Sequence, residues 1–153
     1  AIRLRHPGRL GCLSQQMLEG SRGKVTTAQH IDLAARTEEF FSAITRGDWE
    51  GAIQQVRPHA RAVQNVSGQE TNARDLLASM RGLVESLDSF GYENPRRIVG
   101  TGAVVEQHDV CMRRKDGKEV RIDVCVILRF DEEGFIVRVD EYLYSSAAAA
   151  LQQ

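Results

Sequence analysis

The stretch AVVEQHDVCMRRKDGKEVRIDVCVILRFDEEGFIVRVDEYLYS, residues 103–145, decides the fold. It reads as three strands, AVVEQHDVCMRR (103–114), EVRIDVCVILRF (119–130) and a closing one from Phe135, joined by two explicit turns. Lys115-Asp116-Gly117-Lys118 carries the Asp-Gly of a two-residue hairpin, and Asp131-Glu132-Glu133-Gly134 is a four-residue loop with its glycine at the end. In the middle strand Ile122, Val124, Val126, Leu128 and Phe130 point one way and Arg121, Asp123 and Arg129 the other, which marks the core face.

Turns fix register. A tip at Asp116 and Gly117 sets Asp109 opposite Val124 and Gln107 opposite Val126, while a loop at 131–134 sets Val124 opposite Glu141 and Val126 opposite Val139. Asp109, Val124 and Glu141 then form one row on the core face. Strand spacing of about 4.8 Å puts the two carboxylates roughly 10 Å apart at the backbone. Acids over valines and under helices are costly unless they face a cavity that holds water or ligand. The row is therefore a candidate acid–base pair, with Gln107 beside it. The plainer readings are that Glu141 sits beside solvent at a fraying strand end, or pairs with Arg74 or Arg81.

Other candidates read as structural. His108 alternates onto the opposite, outer face with Glu106 and Val110. Trp49 and Phe40 are core residues that can also line the pocket, and Arg113-Arg114-Lys115 is a solvated turn. Cys111 falls on the inner face opposite Ile122 as a buried free thiol.

Upstream, helical periodicity from Thr26 places Leu33, Thr37, Phe40, Phe41 and Ile44 on one stripe. Gly47 ends that helix, and Asp48 caps a short second one carrying Trp49, Ala52, Ile53 and Val56 until Pro58 stops it. ARAVQNV (60–66) is a short extended piece, 67–71 a polar loop, and Ala73 to Leu87 a third helix with Leu76, Leu77, Met80, Leu83, Val84 and Leu87 inward. RRIVGTG (96–102) is a further strand. Helices followed by a meander predict an α+β domain.

Composition bounds the function. The 153 residues, 42% hydrophobic and 27% charged, suit one soluble globular domain. No apolar run is long enough for a membrane span or a signal peptide, so the expectation is a cytoplasmic protein without membrane contact. The net charge of −1 argues against a nucleic-acid partner. Arg3, Arg5, Arg9, Arg22 and Lys24 make residues 1–25 a basic stretch without aromatic residues or helical periodicity, expected to be a flexible leader. Residues 26–147 are the domain and 148–153 a tail. Cys12, Cys111 and Cys125 form no Cys-x-x-Cys, and His6, His30, His59 and His108 show no metal-ligand spacing, so no metal is expected.

Three helices, the GDW at 47–49 and the closing GFIVRVDEYLYS resemble the nuclear-transport-factor-like superfamily, which includes ketosteroid isomerase, the SnoaL-like polyketide cyclases, scytalone dehydratase and limonene epoxide hydrolase. The resemblance covers residues 26 to about 147. It implies a cone-shaped barrel: a curved, mostly antiparallel sheet with three N-terminal helices on its concave face. Locally, VQN (63–65), QHD (107–109) and VDEYL (139–143) resemble the limonene epoxide hydrolase pattern. That likeness implies Asn65 as the water-holding residue, Asp109 as general acid and Glu141 as the base that activates water. Val63 replaces a tyrosine and Gln107 an arginine. Uncharged Gln107 leaves two nearby acids to share a proton, which still suits acid–base chemistry.

The expectation is thus an enzyme acting without a cofactor on a small apolar substrate. Asp109 and Glu141 are its catalytic residues, with Asn65, Gln107, Val63, Val124, Val139, Trp49 and Phe40 around the substrate. Epoxide hydrolysis is the first reaction implied, and isomerase- or cyclase-type proton transfer the second. The alternative is a non-catalytic ligand-binding or dimerisation module. A homodimer would cover the outer sheet face, where Cys125, Ile127, Ile136, Tyr142 and Tyr144 form an apolar patch.

Overall fold

The computed structural model describes residues 31–143. The leader, the tail, the start of the first helix at Thr26 and Tyr144 lie outside the described residues. Helix α1 (Leu33–Thr45) begins where the Asp32 carboxylate accepts from Ala35 N at 3.0 Å, and ends before Gly47, whose φ of +76° suits glycine. Asp48 caps α2 (Trp49–Gln54) by accepting from Gly51 N at 2.9 Å. Val56 has already left the helix: it opens β1 (Val56–Gln64), which contains Pro58. Pairing of β1 with its neighbour shifts between Val56 and Arg61, the irregularity that lets a residue without an N–H sit in a strand.

The polar loop holds a short strand, β2 (Glu70–Asn72), and runs into α3 (Ala73–Ser86), where Leu83 is exposed rather than inward. Four long strands follow α3: β3 (Ser89–Gly100), β4 (Ala103–Arg113), β5 (Glu119–Phe130) and β6 (Ile136–Leu143). The sheet order is β2-β1-β6-β5-β4-β3, and every pairing is antiparallel except β1 with β6.

The architecture is α+β as expected, but the six-stranded sheet is open, with β2 and β3 at its edges. Nor are all three helices N-terminal, since α3 follows two strands. The inner sheet face meets the helices in one core, in which Phe40, Phe41, Ile44, Trp49 and Leu77 pack with Val104, Val124, Val126, Leu128 and Ile136. Burial of side chains such as Leu128 and Ile136 contributes about 1.5–3 kcal/mol each.

Candidate active site

Register decides which polar groups enter that core, and it departs from expectation at both turns. At the first, Arg114 N donates to Lys118 O (2.9 Å) and only Gly117 has positive φ (+86°), so the loop has three residues, Lys115-Asp116-Gly117. A two-residue type I′ turn needs positive φ at both central positions, and Asp116 does not supply it. The extra residue moves β4 by one step against β5: Asp109 faces Asp123, Gln107 faces Cys125, and His108 faces Val124. One step flips every side chain of β4.

At the second turn Asp131 N donates to Phe135 O (2.9 Å), and a bulge shifts the pairing again between Arg129 and Phe130. Two slips cancel in parity, so Glu141 stays on the core face, now opposite Val126 instead of Val124. Since Glu106 is also opposite Val126, the inner row is Glu106, Val126, Glu141.

Glu141 lies on the floor of a small apolar cavity of about 30 Å³, walled by Phe40, Phe41, Leu76, Met80, Tyr92 and Val139. Its carboxylate accepts from Gln64 Nε2 on β1, and it makes no ion pair among the described residues. Burial raises its pKa above the ordinary glutamate value, against the smaller opposing effects of the Gln64 hydrogen bond and of His108. Burial likewise pushes the Tyr92 phenol up, with the Glu141 and Glu106 carboxylates adding to it, so Tyr92 remains a neutral O–H donor.

Next to the cavity lies a buried polar cluster. Glu106 is 1% exposed and His108 3%. One Glu106 oxygen accepts from Arg97 Nε and the other meets His108 Nδ1 at 2.8 Å, while Arg97 Nη1 reaches Glu38 of α1 at 3.1 Å. With Arg97 bound to it, Glu106 is an acceptor, which assigns the Nδ1 proton to His108.

The sequence-predicted residues divide accordingly. Glu141, Phe40 and Val139 line the cavity, and buried Val124 lies on the same face. Trp49 is buried in the core but does not line the cavity. Asp109 and Gln107 point outward, so the expected Asp109–Glu141 pair is not assembled. Asp109 is bound by Arg121 Nη2 and by Asn94 Nδ2 (2.8 Å). Its pKa is held below the ordinary carboxylate value by Asn94 first, then Asp123 and Arg121.

Asn65 exchanges two hydrogen bonds with the Leu143 backbone (2.9 and 2.8 Å), stitching β1 to β6 outside the cavity, and the residue that reaches Glu141 is its neighbour Gln64. Val63 pairs with Asp140 and Glu70, off the face of buried Ala62. Cys111 faces Arg121 rather than Ile122, and burial, then Glu93, pushes its thiol up. Arg74 donates to Val56 O (3.0 and 2.6 Å) and Arg81 pairs with Glu85, so neither neutralises Glu141. On the outer face Ile136 is missing from the expected patch, because the bulge turns it into the core. Glu106, His108, Tyr92 and Gln64 are the polar residues that sequence reasoning missed. For Glu106 and His108 the deciding feature was the length of the first turn, which the Asp-Gly pair does not fix, and Tyr92 and Gln64 carried no signal in the sequence.

Among the described residues no group of three or more His, Cys, Asp or Glu side chains could hold a metal ion, and no helix is long and apolar enough to cross a membrane.

A SnoaL-like domain family profile matches residues 37–139. No curated protein matches the chain by sequence. Among solved structures, AclR of Streptomyces galilaeus, a proposed hydroxylase, is 18% identical with a TM-score of 0.68, covering 78% of this chain and 84% of that one. A proposed polyketide cyclase of Xanthomonas campestris pv. campestris is 14% identical with a TM-score of 0.68, covering 79% and 96%. A protein of Catenulispora acidiphila with a ketosteroid isomerase-like fold, solved with trimethylamine, is 11% identical with a TM-score of 0.64, covering 76% and 90%. At these identities the likeness is one of fold.

Proposed function

The chain belongs to the SnoaL-like domain family, and from that premise we propose that it catalyses proton transfer beside a carbonyl group, of the isomerase or cyclase type, on a compact apolar substrate. The observation that carries this reading is Glu141, a carboxyl on the floor of an apolar cavity, with no ion-pair partner among the described residues. Burial moves its titration toward neutrality, where a carboxyl both takes and returns protons efficiently. Glu141 removes the proton from the carbon next to the carbonyl, Gln64 orients the carboxylate, and the neutral Tyr92 phenol in the same wall donates to the enolate oxygen. Similarity of fold to a proposed polyketide cyclase supports this class of chemistry. Epoxide opening by two carboxylates finds less support, because Asp109 lies on the opposite face of the sheet.

A cavity of about 30 Å³ holds one or two waters, so substrate binding requires the wall to move. Helix α3 is the wall that gives way. Its first turn is tied down by Arg74 on Val56 O, whereas its later turns carry exposed Leu83 and present flexible Met80 to the cavity.

The test is deuterium uptake at the α-carbon of small cyclic ketones in D₂O, followed by NMR. Wild type and Asp109→Asn are expected to exchange, and Glu141→Gln to lose about 10²–10⁴-fold, the usual contribution of a general base. Ketone binding by wild type with no exchange would overturn catalysis and leave a ligand cup with a polar floor.

A further inference from the structure

His108 carries a buried nitrogen that the reaction above leaves unused. Its Nε2 has no hydrogen-bond partner among the described residues, although the ring is 3% exposed. Such an orphan acceptor is uncommon in a folded core and calls for a donor. The ring packs against two of the three aromatic residues that wall the cavity, edge-on to Phe41 with centroids 4.8 Å apart and tilted to Tyr92 at 4.6 Å. Nδ1 is committed to Glu106 at 2.8 Å. Strand β5 separates His108 on β4 from Glu141 on β6, and His108 stands two residues along from Glu106, the row partner of Glu141, so the two backbones are roughly 12 Å apart on a diagonal with both side chains reaching inward. His108 does not itself line the cavity, but Tyr92, against which its ring packs, does, and a bridging water or ligand hydroxyl beside Tyr92 would connect Nε2 to Glu141.

We propose that His108, clamped through Nδ1 by the Arg97–Glu106 ion pair, is the proton partner of Glu141, receiving at Nε2 the proton that the carboxyl collects from substrate. This rests on the reading of Glu141 as the acid–base group. In the transfer the Glu141 O–H bond breaks and an Nε2–H bond forms, through the bridging hydroxyl. The carboxylate is regenerated, and the imidazolium faces the Glu106 carboxylate that already holds its other nitrogen. Reversal returns the proton. His108 acts through Glu141 and is a positioning residue rather than a catalytic one.

The charged and titratable groups around the pair all enter the balance. Arg97 and Tyr92 approach from β3, Glu106 from β4 and Glu141 from β6, while α1 contributes apolar Phe41 and, through Arg97, Glu38. Arg97 alone would oppose a second positive charge. It is neutralised by Glu106 and Glu38, which leaves Glu106 able to stabilise the imidazolium.

The experiment follows the ¹³C signal of the Glu141 side-chain carboxyl through a pH titration of the full chain, assigned by its loss in Glu141→Gln. If His108 is the partner, His108→Phe and His108→Gln each raise the Glu141 midpoint by about one unit or more, a tenfold weaker acid. Both variants leave Glu106 paired with Arg97, so a merely structural role for the ring would leave the midpoint where it was. His108→Phe keeps the ring packing and His108→Gln keeps a donor for Glu106, so at least one variant reports from a folded protein. A midpoint within a few tenths of wild type in either folded variant overturns the pairing. The readout needs no turnover: exchange that depends on Glu141 without a shifted midpoint sinks this inference alone, whereas exchange intact in Glu141→Gln sinks the functional reading and the proton route with it, a shifted midpoint then showing only that the two groups are coupled.

Discussion

The two faces of β4 carry the same chemistry in opposite surroundings. Outward, Asp109 lies in water-facing company with Arg121, Asn94 and Asp123, in an open depression of about 340 Å³. Inward, Glu106 and His108 are sealed among Phe41, Tyr92 and Arg97, with Glu106 in the same row as Glu141 across β5. Outside, hydrogen bonds and a cation lower a carboxyl's pKa; inside, desolvation raises one. The face a carboxyl occupies on this sheet therefore decides whether it is desolvated or solvated, and for β4 one residue in a turn sets the face.

The harshest way to break that contrast is to delete Asp116. A two-residue turn would step β4 back by one, bringing Gln107, Asp109 and Cys111 inward and expelling Glu106, His108 and Met112 from the core. The variant is expected to lose its cooperative thermal transition, as seen by circular dichroism. A cooperative transition near the wild-type midpoint would show that the turn does not set the register.

Next in size is Arg97→Leu, which strands the buried Glu106 carboxylate with only His108 beside it. Urea unfolding is expected to show a loss of about 3–5 kcal/mol, the usual cost of removing one partner from a buried pair.

Glu141→Gln sharpens the comparison in the opposite direction. Because the folded-state pKa of Glu141 is raised, its contribution favours folding while the group is protonated and is lost as pH rises from the ordinary glutamate range through the raised value. The variant should therefore match or exceed wild-type stability above that range, with a flatter dependence of the urea midpoint on pH. Smallest is Asp109→Asn, on an exposed ion pair. Ketone exchange should be unaffected, and a slight loss of stability should fade as salt is added.

Most of the fold was legible because periodicity and caps agreed. The stripe through Phe40, Phe41 and Ile44, the Asp48 cap and the alternation from Ile122 to Phe130 all stand where the pattern placed them. What eluded the pattern depends on single-residue backbone choices. Asp-Gly is compatible with both two- and three-residue hairpins, and only the φ of Asp116 distinguishes them. Pro58 looked like a helix stop and sits instead at a strand irregularity. Glu141 was placed on the correct face because the second turn and the bulge after it shifted the register twice. Asp109 met one slip with no second to cancel it. Gln64 was overlooked in favour of Asn65 for the same reason, a side assignment in a strand whose irregularity the sequence does not mark.

The measurement that bears most directly on this account is the side-by-side carboxyl titration of Glu141 and Asp109 in the wild-type protein. Opposite displacements, Glu141 above and Asp109 below their ordinary values, are the predicted result. Two ordinary midpoints, or a raised Asp109, would contradict the assignment of Glu141 to the inside and Asp109 to the outside of the sheet, and with it the candidate active site.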